Sequence, residues 1–300
     1  MKKSIIKLVV VSSLLIMPLQ SMYSQTIEVP WLKYLNVPAV DSLLNSLSVS
    51  EMIAQSIWVE AWGDDKKNNF ETVRELVTRY GIGGVIFFEG SQKKQINYTL
   101  RIDSLSKIPL IFSQDAEWGL GMRIREIEDF PYQMTLGAVQ NDSLIYQMGV
   151  AVAAQLRETG INLNLAPVAD VNNNPLNPVI NYRSFGEDPE KVARKAAMYM
   201  KGMQDNGIMA CAKHFPGHGD TETDSHFGLP VIKSALERFN KVELVPFRYL
   251  IDQGVSAVMT AHINAPALDG TPKLPATFSN KIITGLLKKD MNFKGLVLTD

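Results

Sequence analysis

Between Lys213 and Pro230 the chain reads Lys-His-Phe-Pro-Gly-His-Gly-Asp-Thr-Glu-Thr-Asp-Ser-His-Phe-Gly-Leu-Pro and gathers three of the four histidines. His214 and His218 have the four-residue spacing of a helical zinc motif, but Pro216, Gly217 and Gly219 disfavour the helix that gives this spacing its meaning. No metal is expected. The favoured alternative is a loop that delivers an Asp-His pair. Asp224 and His226 are two apart, so in an extended segment they project to one side and the carboxylate can accept a hydrogen bond from the ring. Such a pair moves protons near neutral pH: the adjacent negative charge favours imidazolium, and the held tautomer leaves the other ring nitrogen free. Gly217, Gly219 and Gly228 would let the loop move.

Further polar residues follow short apolar runs: Asp115 and Glu117, Asp170, Lys213 and His214, His262, and Asp300. His262 is read as touching the substrate or supporting Asp300, and His218 as a brace for the loop rather than a reacting group, with a histidine satisfied by backbone hydrogen bonds as the default for both.

The elements that must position these residues come from the hydrophobic rhythm. Strand-like runs are expected at 53–59, 84–88, 109–113, 161–166, 207–212, 256–261 and 295–299. Segments with helical spacing lie between most of them, for example 70–80, 142–159, 189–206, 234–253 and 279–291. Gly81, Gly160, Gly207 and Gly254 fall where left-handed residues end helices. The alternation predicts a parallel sheet with crossover helices. In a barrel or an open sheet alike, the polar residues then converge on one edge. Because no glycine-rich phosphate loop follows the first strand, the favoured fold is a (β/α)8 TIM-type barrel, truncated after the seventh strand. An eighth strand and further C-terminal domains are expected beyond Asp300.

At the N-terminus, Met1-Lys2-Lys3 and the apolar run 5–19 read as an export signal of residues 1–24, too short and interrupted for a membrane span. The expectation is an exported protein, periplasmic or extracellular, with no stable membrane insertion once the signal is removed. Residues 25–50 form a lead-in containing a short helix at 41–47, and Ser48 and Glu51 fit a capping box that opens the main domain, 51–300. Thirty basic residues against thirty-one acidic ones, with no like-charge block, argue against nucleic acid as partner. Cys211 is the only cysteine, which excludes an internal disulfide and a multi-cysteine metal site.

Taken together, Asp115-Ala-Glu117, Asn181-Tyr-Arg-Ser-Phe-Gly186, Lys213 to Pro230 and Leu296-Val-Leu-Thr-Asp300 resemble glycoside hydrolase family 3, specifically its β-N-acetylglucosaminidase branch, over nearly all of residues 50–300. The resemblance implies that Asp300 is the nucleophile of a retaining mechanism and that His226, oriented by Asp224, is the acid/base. It implies that Asp115, Arg183, Lys213 and His214 hold the terminal sugar; Arg123, which follows the same acidic pair, and His262, by its place after a strand, are added as substrate-binding residues, His262 toward the N-acetyl group or Asp300. It needs no cofactor. The implied activity is exo-hydrolysis of terminal β-linked N-acetylglucosamine from carbohydrate, as peptidoglycan fragments (a recycling role) or chitin-type oligosaccharides. Rival readings are a phosphorylase, a β-glucosidase or β-xylosidase of the same family, and a non-catalytic glycan-binding barrel. One departure is local: Trp118-Gly119-Leu-Gly121 stands where the family usually has a glycine pair, and Trp118 is a candidate platform for a sugar face.

Overall fold

The computed structural model describes residues 37–64, 67–223 and 228–300. The expected export signal, most of the lead-in, and the Asp224–His226 pair lie outside these described residues.

Among the described residues, two helices precede the sheet, α1 (Pro38–Ser46) and α2 (Val49–Gln55), and the second opens on the reciprocal capping box of Ser48 and Glu51. Then come β1 (Trp58–Gly63), α3 (Phe70–Glu75) with a wider π turn over Leu76–Tyr80, β2 (Gly84–Gly90), α4 (Gln92–Asp103) and β3 (Ile111–Gln114). The chain continues through α5 (Gln133–Ala138), α6 (Ser143–Glu158), β4 (Leu163–Asn164), α7 (Pro189–Gln204) and β5 (Met209–Phe215). It closes with α8 (Leu236–Lys241), α9 (Leu244–Asp252), β6 (Ala257–Thr260), a π-wound helix Lys281–Asp290 and β7 (Leu296–Thr299).

The seven strands among the described residues are all parallel and pair in chain order from β1 to β7, so every crossover between them returns to the adjacent position. This is the sheet of a (β/α)-barrel. Strand parity sorts the side chains into two layers. Ile86, Ile111, Leu163, Leu165, Cys211, Ala257, Met259 and Leu298 cluster on the inner side, while Val85, Phe87, Phe112, Ala210, Ala212 and Val258 join the larger core under the helices. The same period of two carries the inner face upward from Ser113 to Asp115, from Cys211 to Lys213 and from Leu298 to Asp300.

Gly81, Gly160, Gly207 and Gly254 all have positive φ, as helix-ending residues should. Helices α6 and α7 cross almost backbone to backbone: a Cβ on Gly202 would stand 2.2 Å from the Tyr146 carbonyl oxygen.

Two expectations need correction. The first strand begins at Trp58, not at residue 53, because the capped helix runs through Gln55 and an apolar run of that length fits either structure. The segment 234–253 is two helices that break at Val242, four residues before Pro246, whose ring excludes a helical hydrogen bond to that carbonyl.

Candidate active site

The C-terminal strand ends surround a cleft of about 520 Å³ lined by Asp115, Glu117, Trp118, Arg123, Arg183, Lys213, His214, His218 and Asp300, with Ile86, Phe88, Leu165, Val179 and Met259 as apolar walls. Its volume and mixed lining suit a small polar ligand with a few orienting contacts.

Buried ion pairs organise the floor. From β5, Lys213 Nζ reaches Asp115 Oδ1 and Glu117 Oε1, both at 2.7 Å. Arg183, on the single helical turn Asn181–Arg183 between β4 and α7, grips the fully buried Glu117 with two hydrogen bonds: Nε to Oε2 at 2.9 Å and Nη2 to Oε1 at 2.7 Å. Arg123 donates to the second oxygen of Asp115. Burial alone would raise both carboxyls, but the surrounding cations outweigh it: Lys213 and Arg123 hold Asp115 well below the carboxylate range, and Lys213 and Arg183 bring Glu117 to about 2. For Lys213 the burial penalty is likewise overcome by Asp115 and Glu117, which raise its pKa. These groups are therefore fixed charges at neutral pH and position a ligand without exchanging protons.

A second network holds the histidines. Asp170, fully buried after β4, accepts from His214 Nδ1 at 2.7 Å, from the His214 backbone N–H at 3.2 Å and from the His218 backbone N–H at 2.6 Å. The Nδ1 bond leaves His214 Nε2 facing Arg183 Nη2 at 3.4 Å. Burial would raise the Asp170 carboxyl, but His214 and the other donors bring it below the ordinary value. His218 sits lower than an ordinary imidazole because burial disfavours its charged form. Its Nδ1 lies 2.7 Å from Thr221 Oγ1, the bracing contact expected of it.

The first part of the histidine-rich loop is pinned to the fold. Asn177 donates to the carbonyls of His218 and Gly219 at 2.8 and 3.0 Å. A Cβ at Gly219 would meet the Val171 carbonyl oxygen at 1.8 Å, so only glycine fits there.

Asp300 follows β7, its backbone N–H donating to the Thr260 carbonyl at 3.1 Å. Among the described residues its side chain has no hydrogen-bond or ion-pair partner, whereas Asp115 and Glu117 are both committed to cations.

Of the residues anticipated from sequence, the structure therefore brings Asp115, Arg123, Arg183, Lys213, His214 and Asp300 to one cleft. His262 is not among the lining residues, and its ring lies beside that of Phe278 with centroids 6.1 Å apart. Asp224 and His226 lie outside the described residues. Sequence reading left Glu117 and Asp170 without roles, although both are acidic residues just past strand ends, the signal that marked Asp115. Among the described residues, no group of three or more His, Cys, Asp or Glu side chains is arranged to hold a metal ion, and no helix is long and apolar enough to cross a membrane.

Parallel strands in chain order with a polar, charge-fixed cleft at their C-terminal ends define a (β/α)-barrel protein whose site is the rim. The profile of the glycosyl hydrolase family 3 N-terminal domain matches residues 46–300, and the chain belongs to that family. It is 34% identical over 294 residues to a β-hexosaminidase A from Pseudoalteromonas piscicida, covering 85% of this chain and 48% of the relative. Among solved structures, a family 3 β-N-acetylglucosaminidase from Paenibacillus sp. superposes with a TM-score of 0.77 at 37% identity, covering 85% of this chain and 49% of that one. A β-glucoside phosphorylase bound to 2FGlc superposes with a TM-score of 0.82 at 26% identity, covering 88% of this chain and 48% of that one. The chain thus spans about half the length of these relatives.

Proposed function

We propose that this chain is the catalytic barrel of an exported, retaining exo-β-N-acetylglucosaminidase acting on carbohydrate, either peptidoglycan fragments in a recycling role or chitin-type oligosaccharides. The observation that carries the reading is the place of Asp300, whose carboxylate has no partner among the described residues, in a cleft whose other carboxylates are neutralised by Lys213, Arg183 and Arg123. In this reading Asp300 attacks the anomeric carbon, displacing the leaving-group oxygen and forming a glycosyl-enzyme ester. His226, oriented by Asp224, protonates that oxygen and then takes a proton from the water that hydrolyses the ester. Asp115 and His214 accept or donate hydrogen bonds to sugar hydroxyls, with Lys213, Arg183 and Arg123 fixing their charge and orientation. The names of the relatives, β-hexosaminidase and β-N-acetylglucosaminidase, support the sugar class. The basic and apolar N-terminal residues support export.

The test is turnover by the full-length protein of an aryl β-N-acetylglucosaminide beside the matching β-glucoside, with Asp300→Ala as control. Preference for the N-acetylated substrate and loss of turnover in the variant are expected; preference for the glucoside, or an active variant, overturns the reading. A rival reading, phosphorolysis, draws on the likeness to a β-glucoside phosphorylase and on a histidine acid/base, which does not repel incoming phosphate as a carboxylate would. Sugar phosphate appearing as product in phosphate buffer would select it.

A further inference from the structure

We propose that Asn177 is a positioning residue for proton transfer to the leaving group. It joins the turn that carries Arg183 to the root of the loop that carries Asp224 and His226, so that the acid/base stands in register with the bound sugar. The inference rests on the glycosidase reading and adds a residue that is not among those lining the cleft. Asn177 lies between β4 and α7, is 2% exposed, and uses both ends of its side-chain amide. Its oxygen accepts from the Val179 and Ile180 N–H groups at 2.9 and 2.8 Å. Its nitrogen donates to the His218 and Gly219 carbonyls at 2.8 and 3.0 Å, with the Thr221 hydroxyl a longer third acceptor at 3.3 Å. Two donors on one side and two carbonyls on the other allow one orientation of the amide.

Each end is continuous with a part of the site. The Val179 and Ile180 carbonyls accept from Arg183, through Nη1 at 3.2 Å and the backbone N–H at 2.8 Å, and Val179 itself lines the cleft. Asn177 thus holds the N–H groups of the two residues whose carbonyls hold Arg183. On the other side, Thr221 Oγ1 donates to the His218 carbonyl at 3.0 Å and lies 2.7 Å from His218 Nδ1, which closes residues 218–221 into a turn. Asp224 and His226 follow Thr221 by three and five residues. Beyond them the chain is fixed again: the Asn264 N–H donates to the Pro230 carbonyl at 2.8 Å, and the Ile232 N–H to the Asn264 carbonyl at 3.0 Å. Residues 222–229 therefore run between two fixed points, the first of which is bonded directly to the turn of Arg183. A buried amide with all its bonds made is costly to unpair, so a shift of one segment is passed to the other. General acid catalysis needs the donor within hydrogen-bond reach of the departing oxygen, and a displacement of about 1 Å is enough to cost rate.

The experiment, in full-length protein, compares methyl β-N-acetylglucosaminide, whose alkoxide leaves only when protonated, with the dinitrophenyl glycoside, whose phenolate leaves unaided. Asn177→Asp keeps an oxygen for the Val179 and Ile180 N–H groups but turns the other toward the His218 and Gly219 carbonyls, to which a carboxylate cannot donate. Those two N–H groups favour the ionised acid at neutral pH. The expected result is a fall in kcat/KM of roughly ten- to hundred-fold on the methyl glycoside and of less than about three-fold on the dinitrophenyl glycoside. Inhibition by free N-acetylglucosamine should change less than about two-fold, because the turn of Arg183 keeps its bonds. Thr221→Val, which removes the hydroxyl at the loop root without adding charge, should shift the ratio of the two substrates the same way by about three-fold or more. It decides the assignment by itself if Asn177→Asp does not fold. An unchanged ratio, an equal loss on both glycosides, or inhibition weakened in step with the ratio overturns the assignment and leaves Asn177 a structural residue. Wild type inactive on both glycosides defeats the glycosidase reading and this assignment with it, a result distinct from an active wild type whose variants keep its ratio.

Discussion

Arg183 holds Glu117 through two near-parallel hydrogen bonds, of 2.9 and 2.7 Å, across 66 residues of sequence. Glu117 also meets Lys213 at 2.7 Å, so one fully buried carboxylate joins two cations carried by different elements. Such a group organises the rim more than it stabilises the fold by its own attraction, because desolvation offsets much of the Coulomb gain. Removing it alone is another matter. Glu117→Gln leaves Arg183 facing a neutral amide and Lys213 with only Asp115, and the expected loss of stability is about 3–5 kcal/mol. Urea unfolding of variant and parent measures it; a change within the error of extrapolation would show that the cluster relaxes freely.

The same cluster predicts an acid limit. Glu117 falls to about 2 in the folded protein, and Asp115 and Asp170 are also lowered, whereas unfolded carboxyls titrate near 4. A depressed folded pKa gives stability that is present above the unfolded value and lost as pH falls through the folded one. Stability should therefore be flat with respect to these groups above about pH 6 and drop between about pH 5 and pH 2. Denaturant midpoints across that range test the slope, and Glu117→Gln should make it shallower. An equal slope in the variant would assign the acid sensitivity to other groups.

Arg183 and Glu117 also mark what the sequence discloses and what it withholds. The period of two that puts Leu298 inside the sheet also puts Asp300 there, and the same counting carries Cys211 to Lys213, so the rim was legible from strand parity. Helix ends at Gly81, Gly160, Gly207 and Gly254 were equally legible, since only glycine takes their backbone angles at little cost. The pairing of Arg183 with Glu117 was not, because chain spacing says nothing about which loop folds over which strand end. The start of β1 was misread because seven apolar-rich residues suit a helix end as well as a strand. For His262, position after a strand indicated the rim, but nothing in the sequence announced the neighbouring ring of Phe278.

Asp170 is the hinge between binding and loop geometry. It accepts from the His214 ring and from the backbone N–H groups of His214 and His218. Asp170→Asn forces an amide N–H against a donor and weakens the tautomer preference of His214, so KM for the N-acetylglucosaminide should rise about ten-fold or more. Melting temperature should fall as well. Separate measurement of kcat and KM checks the assignment: a fall confined to melting temperature would leave Asp170 a structural residue only.

Cys211 supplies a probe of the barrel interior. It is fully buried on β5 among Leu163, Leu165, Ala257 and Met259, and burial pushes its thiol up to about 12. Lys213 two residues on opposes that shift, but its charge is already committed to Asp115 and Glu117. A thiol that is both inaccessible and protonated should not react with a disulfide reagent at pH 8. Because it is the only cysteine in these 300 residues, its labelling in urea reports opening of the strand layer. The expected result is a labelling rate that follows the fraction unfolded, with a midpoint matching that of circular dichroism. Rapid labelling without denaturant would mean that the inner face between β5 and its neighbours opens locally, and the fixed-charge floor above it would then have to be reconsidered, since Lys213 stands on the same strand.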